Sequence, residues 1–496
     1  MKQLRFIRLG ISLLFWGGAI VAFLQPASAA TCNPLPPPDG NIVYVDSVSS
    51  LQSAVNNALA GDTVSIADGI YNLDGAYLRI SVPNITLRST SGNRNAVVLD
   101  GNYQTTEIIQ IVASSVTIAD ITLREARDHP IHVMSTGTTD TRNTLIYNVR
   151  IIDPGEQAIK INPTATGFYP DEGVIACSHI ALTDTGRPHI RNNCYTGGID
   201  AHQAKDWVIR DNVIEGFWCE SGLSEHGIHL WRGSRGTLVE RNTLNNNARG
   251  IGFGLATSGA ARTYPDTPCP EAASAYVDHY DGIIRNNFVF ANETPLFASD
   301  YGFDCGICLW QACGAKVLNN TVASTDAPFS SVEWRFDNTR VEIRNNIVSH
   351  NLRDRGGSAI LENNIVQAPL AMFADGSNGD LHLLPSAADA IDQASILAEV
   401  TDDIDGELRP AGAAPDIGAD EFLPVDCSGD LVEISNRTFG TGTRTTCVAQ
   451  VSLTVGPDVA IKPGAEVFLV SPVTFFSTGI HIERGAKLQV TSATSP

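Results

Sequence analysis

Lys160, Asp200, His202 and His229 are side chains that can move protons or hold charge, and they fall in three successive copies of one alternating phrase. The copies are Ile131-His132-Val133-Met134, Ile159-Lys160-Ile161-Asn162, Ile199-Asp200-Ala201-His202, Ile228-His229-Leu230-Trp231, Ile251-Gly252-Phe253-Gly254, Ile307-Cys308-Leu309-Trp310 and Val332-Glu333-Trp334-Arg335. Period-two alternation marks strands buried on one face, so the first and third residues point inward and the second and fourth outward. Stacking the copies in register predicts two adjoining outward columns. One runs His132, Lys160, Asp200, His229, Gly252, Cys308, Glu333, and the other Met134, Asn162, His202, Trp231, Gly254, Trp310, Arg335. The Gly252/Gly254 copy, flanked by Trp231 and Trp310, reads as a bare floor between aromatic walls on which the apolar face of a sugar ring could stack. Arg232 follows Trp231 and Arg249 precedes the glycines. A packing role for the two glycines is an equally open reading.

Two chemistries suit such a face. Proton abstraction beside a carboxylate needs a base and a cation that neutralises the developing charge. Lys160 and Arg249 supply one such pair, but three coils separate them, roughly 14 Å at the usual strand spacing. His229, one coil from the glycines, is the better-placed base. Hydrolysis instead wants two carboxylates about 5 to 10 Å apart, and Asp200 alone stands at the centre of the face. The catalytic candidates are therefore His229, Arg249 and Lys160. The binding candidates are Asp200, His202, Trp231, Trp310 and Arg232.

The elements that position these residues repeat as well. A phrase with a polar pair ending in Asn recurs at Asn212, Asn242, Asn287, Asn320, Asn346 and Asn364. It reads as strand, tight corner, strand, with Asn suited to a left-handed corner and to stacking as a ladder. Fixed strands and corners with loops of varying length between them describe a solenoid. The fold class expected is all-β, a right-handed parallel β-helix over residues 42–422. Leu51 to Leu59 carries helical periodicity and predicts an N-terminal capping helix. Residues 427–490 alternate apolar and polar between Gly/Pro turns and predict a small C-terminal all-β module.

The run from Leu51 through Gly61-Asp62-Thr63-Val64-Ser65-Ile66 to Tyr71, continued by Ile85-Thr86-Leu87 and Leu99-Asp100-Gly101, resembles the first coils of parallel β-helix polysaccharide lyases. The family containing alginate lyases and chondroitinase B is the nearest likeness. The resemblance covers residues 42–422 as architecture and implies β-elimination from a uronic-acid polymer, with Ca²⁺ held by acidic side chains. The family's catalytic signature does not align on this chain, so no residue role is carried over. Asp405-Gly406-Glu407-Leu408-Arg409-Pro410 and Pro415-Asp416-Ile417-Gly418-Ala419-Asp420-Glu421-Phe422 resemble the closing segment of bacterial surface β-helix proteins, which implies a structural cap over the last coil.

Composition bounds the partners. The formal charge of −21 argues against nucleic acid. Residues 1–29 read as an export signal: Lys2, Arg5 and Arg8, an apolar run from Ile11 to Leu24, then Ala27-Ser28-Ala29. Thr31 does not suit lipidation of Cys32. Ten cysteines in an exported chain predict disulfides rather than a metal cluster at Cys305, Cys308 and Cys313. Proximity suggests Cys427 with Cys447 and Cys177 with Cys194. The expectation is a monomer without a membrane span, secreted or at the cell surface, acting on a polysaccharide. Cleavage of a uronic-acid glycan and non-catalytic glycan binding or adhesion both remain open.

Overall fold

The computed structural model describes residues 32–165, 167–267, 269, 276–423, 425–439 and 444–492. The expected export segment lies outside them. The chain is a right-handed parallel β-helix whose coils contribute strands to three parallel sheets, of 14, 10 and 11 strands. The inward isoleucines of the alternating phrase, Ile131, Ile159, Ile199, Ile228, Ile251 and Ile307, are wholly buried and stack coil on coil. Among the described residues no helix is long and apolar enough to cross a membrane.

A helix at Val48–Asn56 covers the first coil, burying Leu51 and Val55. It starts earlier than the apolar periodicity predicts, because Ser47 and Ser50 form a reciprocal capping box. It also stops before Leu59, which is exposed.

One corner carries the asparagine ladder. Asn212 donates to Asn242 (2.9 Å), Asn242 to Asn287 (3.0 Å), Asn287 to Asn320 (2.9 Å), Asn320 to Asn346 (3.0 Å) and Asn346 to Asn364 (2.9 Å). The ladder residues do not themselves adopt the left-handed conformation. The residue before each does: Asp211, Arg241, Asn286, Asn319, Asn345 and Asn363 all have φ between 49° and 58°. That turn aims the following amide inward, where it bonds its neighbours above and below.

The closing segment departs from its expected place. It runs along the flank of several coils, not over the last one. Arg241 bonds Asp402 (2.5 Å), and the Asn319 amide donates to the Asp416 carbonyl (3.0 Å). Its acidic residues hold its own backbone, as a structural role requires. Asp403 accepts the amides of Asp405, Glu407 and Glu421, and Arg409 pairs with Glu421 at 2.8 Å in full burial. Residues 425–491 form a smaller parallel stack with its own core, including Val432, Phe439, Leu453 and Val467.

The disulfides are Cys32–Cys177, Cys194–Cys219, Cys269–Cys313, Cys305–Cys308 and Cys427–Cys447. The pairing of Cys177 with Cys194 is thus corrected. Cys177 lies where the N-terminal segment crosses the coils, so Cys32, distant in sequence, reaches it first. Cys194 takes its partner from the loop after the next three strands.

Candidate functional site

The 10-stranded sheet carries the alternating phrase. Its register pairs His132 with Lys160, Lys160 with Asp200, Asp200 with His229, His229 with Gly252, Gly252 with Cys308 and Cys308 with Glu333. His202 pairs with Trp231 and Trp310 with Arg335. Parallel pairing without a slip brings these side chains into adjoining rows.

At the centre of the face sits a dense buried network. Lys160 donates to Asp200 and to the Tyr195 hydroxyl (3.0 Å), and its amine lies 3.2 Å from His202 Nε2, which itself faces Asp200 at 3.2 Å. Trp231 Nε1 donates to the other Asp200 oxygen at 2.8 Å. Asp200 is 1 % exposed and Lys160 7 %. Burial alone would drive both groups neutral, but they offset each other. Burial raises the Asp200 carboxyl, but the Lys160 ammonium and the neighbouring His202 together outweigh it, holding Asp200 well below the usual carboxylate range. Burial likewise lowers Lys160, and Asp200 outweighs that, leaving the amine above its ordinary value. A protonated amine bonded to Asp200 and Tyr195 is in the wrong state for the base role considered for it. Asp200, His202 and Trp231 spend their polar atoms on one another, and Arg232 lies 4.4 Å over the Trp231 ring.

The bare glycine floor is filled. A Cβ at Gly252 would lie 2.5 Å from His226 Nε2, so the glycine makes room for that imidazole. Gly254, at φ +78°, sits under the Trp310 carbonyl, where a Cβ would lie 1.8 Å from the oxygen. No sugar ring fits between Trp231 and Trp310 by that route. His226 and His229 are wholly buried, with ring centroids 4.2 Å apart.

An open cleft lies farther along the same sheet. Its volume is about 360 Å³, and its lining includes Arg249, Arg335, Arg355, Trp310, Phe329 and Tyr301. Of the candidate site residues named from sequence, Arg249 and Trp310 line it, as does Arg335 from the outward column. Lys160, Asp200, His202, His229, Trp231 and Arg232 do not. Arg249 bonds Asp304 (2.8 Å), and its guanidinium lies 4.9 Å from the Trp310 ring centroid. Arg355 pairs with the buried Glu333 at 2.7 Å. Arg335 leans on Trp310 (5.6 Å) and Phe336 (4.3 Å) and has no ion-pair partner among the described residues. Burial first, and then Arg355 and Arg249 against the pull of Glu333 and Asp304, push the Arg335 guanidinium below its ordinary value.

The chain shares its fold with a pectate lyase. Pel9A superposes at a TM-score of 0.52 with 13% identity, over 77% of this chain and 96% of that one. An alginate lyase from Paenibacillus sp. FPU-7 gives 0.43 with 18% identity, over 66% of this chain and 99% of the other. No family model matches the sequence and no curated protein does.

The lyase resemblance implies calcium, which takes about six to eight oxygen ligands. Among the described residues two groups of side chains could hold an ion, Glu225/His226/His229 and His382/Asp405/Asp420. Each includes an imidazole nitrogen, so neither suits calcium. In the second, both His382 nitrogens already face carboxylates, Asp380 at 2.5 Å and Asp405 at 2.9 Å.

Sequence reasoning missed Arg355, Tyr301 and Phe329, which come from the following coil and from loops. A faint signal existed for the first: Leu352-Arg353-Asp354-Arg355 keeps the apolar first position and the basic outward positions of the phrase, though Asp354 breaks the alternation.

Proposed function

We propose that this chain is an exported protein that grips a uronic-acid-containing polysaccharide in the Arg249/Arg335/Arg355 cleft and cleaves it by β-elimination. One observation carries the reading. Three guanidinium groups and the aromatic side chains Trp310, Phe329 and Tyr301 converge on one cleft of a chain whose formal charge is −21. Local cations in an acidic molecule are what a carboxylated polymer needs to approach it, and the exposed rings of Tyr301 and Phe329 suit the C–H faces of its sugars. The five disulfides fit an oxidising compartment.

In this reading Arg335 neutralises the uronate carboxylate while the C5–H bond breaks. The C4–O4 bond then opens, a C4=C5 double bond forms, and the leaving oxygen takes a proton. Tyr301, exposed in the cleft, is the group proposed to make both proton transfers: its phenolate oxygen takes the C5 proton and, now a hydroxyl, returns it to O4 as the C4–O4 bond breaks. Incubation with alginate, pectate and chondroitin should produce the ultraviolet absorbance of an unsaturated uronate. Tyr301→Phe should slow that rise about 100-fold or more. The absence of a rise with every uronate polymer would sink the cleavage step. A second reading, binding without cleavage, is favoured by one observation: Lys160 is committed to Asp200 and His229 is wholly buried, leaving Tyr301 without a second base beside it.

A further inference from the structure

We propose that Glu225, His226 and His229 form a binding site for a divalent transition-metal ion of the zinc type. One ligand atom from each residue lies within 4.8 Å of the other two. His226 and His229 are 0 % exposed. Both ring nitrogens of His226, Nδ1 of His229 and Oε2 of Glu225 are buried and have no hydrogen-bond partner. Buried polar groups are ordinarily satisfied, and here one unsatisfied atom from each of three residues turns toward a common point, where an ion would satisfy all three.

The tautomer of His229 sharpens the case. Its Nε2 faces the Gly254 carbonyl at 3.4 Å, and a carbonyl can only accept, so Nε2 carries the hydrogen. In the neutral ring Nδ1 is then a lone pair. It faces Glu225 Oε2 at 3.1 Å without the geometry of a hydrogen bond. Two acceptors held that close repel unless a cation lies between them. An imidazole that donates one N–H to a backbone carbonyl and offers its other nitrogen inward is the usual arrangement of a metal-ligating histidine. Asp200 Oδ1, 3.6 Å from the same Nδ1, adds negative charge at the border of the site.

The donor set selects the ion. Two imidazoles and one carboxylate suit zinc and its neighbours, whereas calcium requires oxygen ligands. Gly252 belongs to the same construction, because any side chain there would displace the His226 ring. The His382 group differs in that both of its nitrogens are already partnered. The site stands behind the cleft wall: Trp310 lines the cleft and meets His226 edge-on at 5.9 Å. An ion there would clamp the loop ending at Gly227 to the sheet.

The inference does not depend on the glycan reading, since metal content is read without any polysaccharide. Full-length mature protein would be stripped with a chelator, dialysed, and titrated separately with Zn²⁺, Co²⁺ and Ca²⁺. Elemental analysis should find about one equivalent of zinc or cobalt per chain. The cobalt form should show visible absorption, and a large excess of calcium should displace neither ion. His226→Gln and the partly exposed Glu225→Gln should each weaken zinc binding at least tenfold, and His382→Gln should not change it. Circular dichroism checks that each variant is folded. Wild-type protein decides alone if a variant fails to fold: no stoichiometric zinc or cobalt overturns the proposal. Zinc binding unchanged by a folded His226→Gln or Glu225→Gln overturns it equally.

Discussion

Asp200 is the keystone of the buried network, with Lys160, His202 and Trp231 all turned toward it. Removing one partner of such a pair strands the other as an unpaired charge, at a cost of about 3 to 5 kcal/mol. Asp200→Ala should therefore lower the urea-unfolding midpoint markedly. The double variant Lys160→Met/Asp200→Leu should recover part of the loss, because no buried charge is left unpaired, although Trp231 Nε1 and the Tyr195 hydroxyl still lose their partners. A double variant as unstable as the single one would contradict this. At this scale the alternation of the sequence was enough to place Lys160, Asp200 and His229 in one row, since period two leaves no freedom about which face a residue takes. Alternation says nothing of what lies on top of that face. His226, from the loop before its strand, fills the space above Gly252 and closes a site that looks open in one dimension.

The asparagine ladder is the element that holds the corners in register. Asn287 Nδ2 donates to Asn320 and to the carbonyls of Val239 and Arg285, and its oxygen accepts from Asn242. Asn287→Ala leaves several buried groups unpaired and should cost about 1 to 3 kcal/mol. Asn364→Ala, at the half-buried end of the ladder, should cost less than half as much by the same measurement. Equal losses would mean that the ladder is not cooperative. The recurrence of Asn made this corner legible. Which residue turns left-handed was not, because Asp211 and Arg241 precede ladder residues as readily as Asn286 does. The closing segment holds a pH-sensitive contact. Hydrogen bonding to Asp405, against burial and with Asp420 and Asp380 adding to it, pushes His382 from 6.5 up to about 10. A raised pKa means the folded state prefers the charged ring. That stabilisation is complete below about pH 6.5 and is lost as pH rises toward 10. Melting temperature should fall between pH 7 and pH 10, and fall less in His382→Gln. Parallel curves would show that the pair contributes nothing.

Across the whole molecule, the solenoid sets a line of strands on one face and leaves loops to shape what that face can hold. The coil repeat was readable because each copy must bury the same apolar positions. The cleft was only half readable. Arg249, Trp310 and Arg335 lie on the repeated strands, while Tyr301 and Phe329 come from segments without periodicity. An acidic chain with a local cationic cleft should bind uronate polymers more weakly as salt rises, since screening weakens the local attraction. The most direct test is calorimetric titration of a short oligouronate into wild-type protein and Arg335→Ala. Arg335 has no ion pair of its own among the described residues, so its removal should leave the fold intact. Binding to the wild type that drops at least tenfold in the variant, at unchanged melting temperature, is the predicted result. Equal affinity in the two proteins would contradict it and place any glycan elsewhere on the molecule.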